Sequence, residues 1–231
     1  MKVKINYPNT QGGKATLQAH LDRFSNFRLD NAAVESRLIM GAEKARELTN
    51  AGSDYLVQAI GSNKNKWMEN FNRDATLVEW FGIVKNKQQV QKVVNRMEGL
   101  RKRMNRTLTI RVRPFPKSQI KKIDAGEGFT LAKTVGAINL RSGTFTVYPY
   151  LVTRGLWEVA ETIVHEIGHQ WFKDQKLESS TVYGETPARD LAKYNPRKAR
   201  KSAENYSIYC DRVHPQMGYA RRFVGSYSAL S

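Results

Sequence analysis

Residues 156–172, LWEVAETIVHEIGHQWF, constrain the fold of this chain more than any other stretch. Trp157, Ala160, Val164, Ile167 and Trp171 recur at helical spacing and mark an apolar face. Glu158, Glu161, Thr162, His165 and His169 fall on the other face. A helix patterned this way packs its apolar side on a core and projects both imidazoles, four residues apart, together.

The texture on either side sets the fold class. Residues 31–60 carry Val34, Leu38, Ile39, Ala42, Ala45 and Leu48 at helical spacing. Asn31 is the expected N-cap, and Asn50-Ala51-Gly52 is expected to break the stretch into two helices. ATLVEWFGIV supplies Trp80 and Phe81 as core anchors. NKQQVQKVVNRMEGLRKRMNR reads as a basic amphipathic helix burying Val90, Val93, Val94, Met97 and Leu100. TLTIRVRPF alternates over Leu108, Ile110 and Val112, so it reads as a strand that Pro114 and Pro116 end. KTVGAINLRSGTFTVYPYLV reads as a hairpin turning at Arg141-Ser142-Gly143. Helices, a small sheet and helices again indicate an α+β fold, mainly helical, with the hairpin packed beside the histidine helix. No linker or repeat divides the chain, so one domain is expected over residues 31–231. Residues 1–30 are polar and weakly patterned, and are expected to form an extended or loosely packed N-terminal arm.

Two features of composition bear on chemistry. The single cysteine, Cys210, makes an internal disulfide impossible and excludes a four-cysteine zinc knuckle. The net charge of +17 attracts anionic partners: nucleic acid, a cell-wall polymer or an acidic protein. No apolar run approaches the roughly 20 residues needed to span a bilayer. The N-terminal residues lack the apolar core of a secretory signal. The expected location is cytoplasmic, or one reached by a signal-independent route such as a virion or an injection machine.

His165 and His169 make an HExxH pattern with Glu166 between them. Imidazoles at that spacing can ligate one tetrahedral zinc ion, and a carboxylate directly after the first can serve as general base toward a water there. Gly168 removes bulk next to the ligands, at some cost to the helix. A surface helix with two solvated histidines is the plain alternative. His20 and His214 sit in no recognisable ligand spacing and read as surface or structural histidines. A third ligand is needed, and the segment after the helix offers Asp174, Glu178, Glu185 and Asp190.

HEIGH, followed by VYG, LAKYNP and SAENY and preceded by EWFG, resembles the deuterolysin-like metalloendopeptidases, the aspzincins, which include the peptidyl-Lys metalloendopeptidases. The likeness covers roughly residues 35–210. It implies a zincin-like domain with His165 and His169 as metal ligands and Glu166 as the catalytic glutamate. It also implies that Tyr183 stabilises the oxyanion and that Glu204 helps bind a substrate lysine after the scissile bond. Ser180 stands where the family has its aspartate ligand, and Ser207 where the peptidyl-Lys members have a second acidic residue. Glu178 is the favoured third ligand, with Glu185 and Asp174 as rivals.

The expected function is a zinc-dependent endopeptidase acting on a protein or peptide, with one zinc per chain. The alternative is a catalytically impaired, basic binding module within a larger assembly. Its working surfaces would be the helix from Lys85 to Arg106 and the cluster Arg197, Lys198, Arg200 and Lys201.

Overall fold

The computed structural model describes residues 2–24, 30–125, 132–134, 144–174 and 182–215. Its elements run β1 (Val3–Asn6), α1 (Gln11–Phe24), α2 (Asn31–Ile60), α3 (Trp67–Arg73), α4 (Ala75–Phe81) and α5 (Lys87–Met104). There follow β2 (Leu108–Val112), α6 (Lys117–Asp124), β3 (Ala132–Thr134), β4 (Thr144–Val147) and α7 (Pro149–Val152). The histidine helix α8 (Leu156–Asp174) leads to α9 (Glu185–Tyr194), α10 (Pro196–Ala199) and α11 (Ala203–Val213). The architecture is α+β and mainly helical, as the sequence indicates.

The four described strands form one sheet in the order β1-β2-β4-β3. β1 and β4 both run parallel to β2, in register Val3 with Leu108 and Thr109 with Thr144, while β3 is antiparallel to β4. β2 alternates buried Leu108, Ile110 and Val112 with half-buried Thr109 and Arg111, the expected period of two. β3 and β4 are the two arms of the expected hairpin, whose turn lies outside the described residues. Gln170 of α8 donates to the carbonyl of Thr144 at 2.5 Å, tying the helix to β4.

The helical layer is organised around α2, which packs along α8, α5 and α11. It runs unbroken through Asn50-Ala51-Gly52, contrary to expectation. The reason is packing: a Cβ at Gly52 would stand 2.7 Å from Cys210 Sγ, so the glycine lets α11 approach rather than ending the helix. The N-cap is Asp30, one residue before the one expected, and it accepts from Ala33 N at 2.8 Å. Trp80 and Phe81 are fully buried with Phe71, Tyr206 and Tyr209, and each such side chain contributes roughly 1.5–3 kcal/mol of burial.

The N-terminal residues correct the expectation of an extended or loosely packed arm. Residues 3–6 form the edge strand of the sheet, and α1 places Leu17 and Leu21 in the main core.

Candidate metal centre

α8 carries His165, Glu166 and His169. The helix is more enclosed than a two-faced pattern suggests: His165 and Glu166 are buried along with Val159, Ala160, Ile163, Val164 and Ile167. Its neighbour across the site is α11. Gly168 makes that approach possible, since a Cβ there would stand 3.1 Å from the Cβ of Ala203. The bulk that Gly168 removes therefore lies toward α11, and the next residue on α11 is Glu204.

Glu204 is the organising group of the site. Its Oε2 accepts from His165 Nδ1 at 2.7 Å, and its Oε1 accepts from Gly184 N at 2.5 Å. With its proton on Nδ1, neutral His165 turns its lone pair outward on Nε2. That nitrogen faces His169 Nε2 at 2.8 Å, the two rings lying nearly perpendicular with centroids 4.5 Å apart. Burial pushes the His165 imidazole down, but the bond to Glu204 and the charges of Glu166, Glu204 and Glu161 outweigh it and hold the ring above its ordinary range. Burial raises the Glu204 carboxyl, and the His165 bond and charge, with the Gly184 amide, more than reverse this. Both shifts have one origin, the mutual stabilisation of carboxylate and imidazole, which fixes the orientation of the His165 ring.

The loop before α9 completes the near side. Tyr183 stands with its ring centroid 5.7 Å from that of His165 and is largely exposed. Burial of part of the ring, with the charges of Glu166 and Glu204, holds its phenol above the usual value, so it keeps its proton at neutral pH. Gly184 follows at φ +89°, a left-handed conformation that favours glycine and aims its N–H at Glu204. Glu204 thus couples the Tyr183 loop to His165.

The sequence-derived residues are distributed as follows. His165, Glu166, His169, Tyr183 and Glu204 come together. Glu204, expected to face a substrate lysine, has both oxygens engaged inside the site. Glu185 bridges Arg189, at 2.6 Å, and Arg212. Glu178 and Ser180 lie outside the described residues, and so does the side chain of Asp174. His20 accepts from Phe115 N at 3.0 Å, and His214 packs on Trp157 with centroids 5.0 Å apart. Both have structural surroundings. The contact that sequence reasoning missed is Glu204 to His165, which no local spacing can signal.

This arrangement fits a divalent metal. Two nitrogens on one tetrahedral zinc stand about 3.3 Å apart when each bond is about 2.0–2.1 Å. The facing Nε2 atoms, at 2.8 Å, are a small side-chain adjustment from that. A carboxylate behind the ligating imidazole is the usual outer partner of such a site.

Three comparisons bear on this geometry. No curated protein sequence matches the chain. Among solved structures, the fold is similar to a zinc peptidase from Grifola frondosa, with a TM-score of 0.58 and 18% identity over 79% of this chain and 96% of that one. The family model of the aspzincins, described as lysine-specific metallo-endopeptidase, matches residues 68–211, which span α3 to α11 and hold every residue of the site. With the match covering more than half of its length, the chain belongs to the aspzincin family of metallo-endopeptidases.

Proposed function

We propose that this chain is a zinc-dependent endopeptidase, holding one zinc ion and hydrolysing peptide bonds in a protein or peptide substrate. The observation that carries this reading is the convergence of His165 and His169 Nε2 at 2.8 Å, with the tautomer of His165 set by Glu204. His165 and His169 would hold the ion. Among the described residues no three His, Cys, Asp or Glu side chains are grouped to hold a metal, and Glu185 is occupied by two arginines. Glu178, shortly after the end of α8, is the proposed third ligand.

When bound, zinc supplies a Lewis acid that polarises the scissile carbonyl and makes water a stronger acid. Glu166, buried beside the histidines, takes the proton of the attacking water and delivers it to the leaving amine. Tyr183, exposed and protonated, donates to the oxygen on which charge develops. Glu204 holds His165 in position and does not meet the reacting atoms.

A preference for lysine after the cut would need a free carboxylate near that subsite. On α11 both Glu204 oxygens are engaged, and Ser207 donates to the Glu204 carbonyl at 3.0 Å. Mapping cleavage sites across a denatured protein tests the preference: cuts concentrated before lysine sustain it, and cuts spread over many residues remove it.

Metal analysis of dialysed protein tests the main reading. Wild type is expected to retain one zinc, His169→Ala and Glu178→Ala to lose it, and Glu185→Ala to keep it. Glu166→Gln should keep zinc and lose peptide cleavage. Protein that takes up no zinc, or a Glu166→Gln variant that cleaves normally, would leave the binding-module alternative in place.

A further inference from the structure

The fold joins the two basic stretches of the sequence. Arg96 Nη1 of α5 donates to the carbonyl of Arg200, 104 residues away, at 2.6 Å. Beside this contact lies a pocket of about 450 Å³ lined by Gln89, Lys92, Asn95, Arg96, Trp171, Arg197, Arg200 and Lys201. Five of these eight side chains are cationic and none is acidic.

Arg200 is the buried cation of this lining. It is 8% exposed, and its guanidinium is held by the carbonyls of Phe81 at 3.0 Å and Ile83 at 3.2 Å and by Gln89 Oε1 at 3.4 Å. Among the described residues no carboxylate pairs with it. A buried cation normally has a counter-charge, and this one meets only dipoles. Arg197, Lys201 and Lys92 likewise lack an ion-pair partner among the described residues. Burial, and then Arg197, Arg96 and Lys92, push the Lys201 amine below its ordinary value, as expected where cations crowd without an anion. Trp171 is held from behind, since a Cβ at Gly99 would stand 2.2 Å from its ring and Arg103 sits 5.1 Å over it.

We propose that this pocket binds the phosphate group of a nucleotide-sized ligand. Arg200 and Arg96 provide the fixed positive floor, and Arg197, Lys201 and Lys92 close on the phosphate. Trp171, Gln89 and Asn95 meet the group that carries it. A doubly charged phosphate compensates this cluster better than a single carboxylate, and guanidinium forks match its oxygens. The volume exceeds that of a free ion and suits a mononucleotide or one unit of a strand. The site is independent of the metal centre: Trp171 lies two residues beyond His169 on α8, roughly 200° around the helix.

Calorimetric titration at low ionic strength tests the proposal, using adenosine monophosphate, adenosine and a short single-stranded oligo-dT. Both phosphate-bearing probes should bind and adenosine should not. Arg197→Ala/Lys201→Ala, checked for folding by circular dichroism, should weaken binding about tenfold or more. Lys64→Ala/Lys66→Ala removes the same net charge elsewhere and should leave binding unchanged. Tighter binding of the oligonucleotide identifies a strand as the source of phosphate, and equal binding identifies the free nucleotide. The proposal is overturned if neither phosphate probe binds, if both double variants lose affinity equally, or if poly-glutamate binds as tightly as the oligonucleotide. Titrating Glu166→Gln in parallel separates this result from the peptidase reading, because pocket binding should survive there.

Discussion

The two sides of α8 carry opposite charge and resolve it differently. Around His165 the helix gathers Glu166, Glu161 and, from α11, Glu204, and Glu204 is satisfied locally by an imidazole and a backbone amide. Around Trp171 the same helix meets Lys92, Arg96, Arg197, Arg200 and Lys201, and the buried Arg200 has only carbonyls and an amide for company. The first arrangement is preorganised: its donors and acceptors are fixed before any ligand arrives, as catalysis requires. The second stores uncompensated charge, which favours binding an anion. On the two proposals, charge sorted along one helix gives one surface for chemistry and one for recognition.

The largest expected effect that tests this division is Glu166→Gln. Removing the proposed general base should lower peptide hydrolysis by about 10²–10⁴-fold with zinc content unchanged. The cationic pocket should not register the change. Tyr183→Phe comes next: loss of one donor to the developing oxyanion should cost about 10²–10³ in kcat with KM little altered, read from steady-state kinetics on a synthetic peptide. A comparable loss in KM alone would assign Tyr183 to substrate binding instead. Glu204→Gln is smaller. Its amide can still accept from His165 Nδ1, but it loses the charge and one of the two acceptor oxygens. Zinc affinity should fall about 10–100-fold in competition with a chelator, and nucleotide binding at the far pocket should hold. A fall in both would show that the two sides of α8 are coupled.

What the sequence made legible follows the range of each interaction. α8, α5 and β2 announce themselves because their apolar residues repeat at the period of the element, and each repeat packs on the core. The paired histidines are legible for the same reason, since helical geometry alone brings them together. β1 was illegible: Val3 and Ile5 in VKIN are too few to signal a strand, and pairing with residues 108–111 is what holds them. The break expected in α2 failed because glycine's low helix propensity yielded to close packing on Cys210. Glu204 is legible as a candidate site residue, but its bond to His165 is not, because its partner on α8 is distant in sequence and family likeness aligns positions rather than contacts. The pocket behind Trp171 was legible only as two separate basic clusters, and Arg96 on Arg200 joins them.

Gly168→Ala carries the smallest expected effect and discriminates most finely. Alanine favours the helix by about 1 kcal/mol over glycine. Its Cβ would stand 3.1 Å from Ala203 Cβ and 3.4 Å from Ala203 Cα, on the helix wall that carries Glu204. Backbone cannot yield as the tip of a flexible side chain does, so α11 must shift by a few tenths of an ångström. The gain in propensity and the cost of overlap nearly cancel, so Tm should move by no more than about 2–4 °C. The shift moves Glu204 away from His165 Nδ1, so zinc should be held less tightly even though the fold is as stable. Thermal melts of the metal-free protein, set beside chelator competition on the loaded one, separate the two quantities. A variant that keeps its zinc affinity would show that α11 can approach α8 less closely without loosening His165. A variant that loses stability and affinity in proportion would place the effect in packing alone.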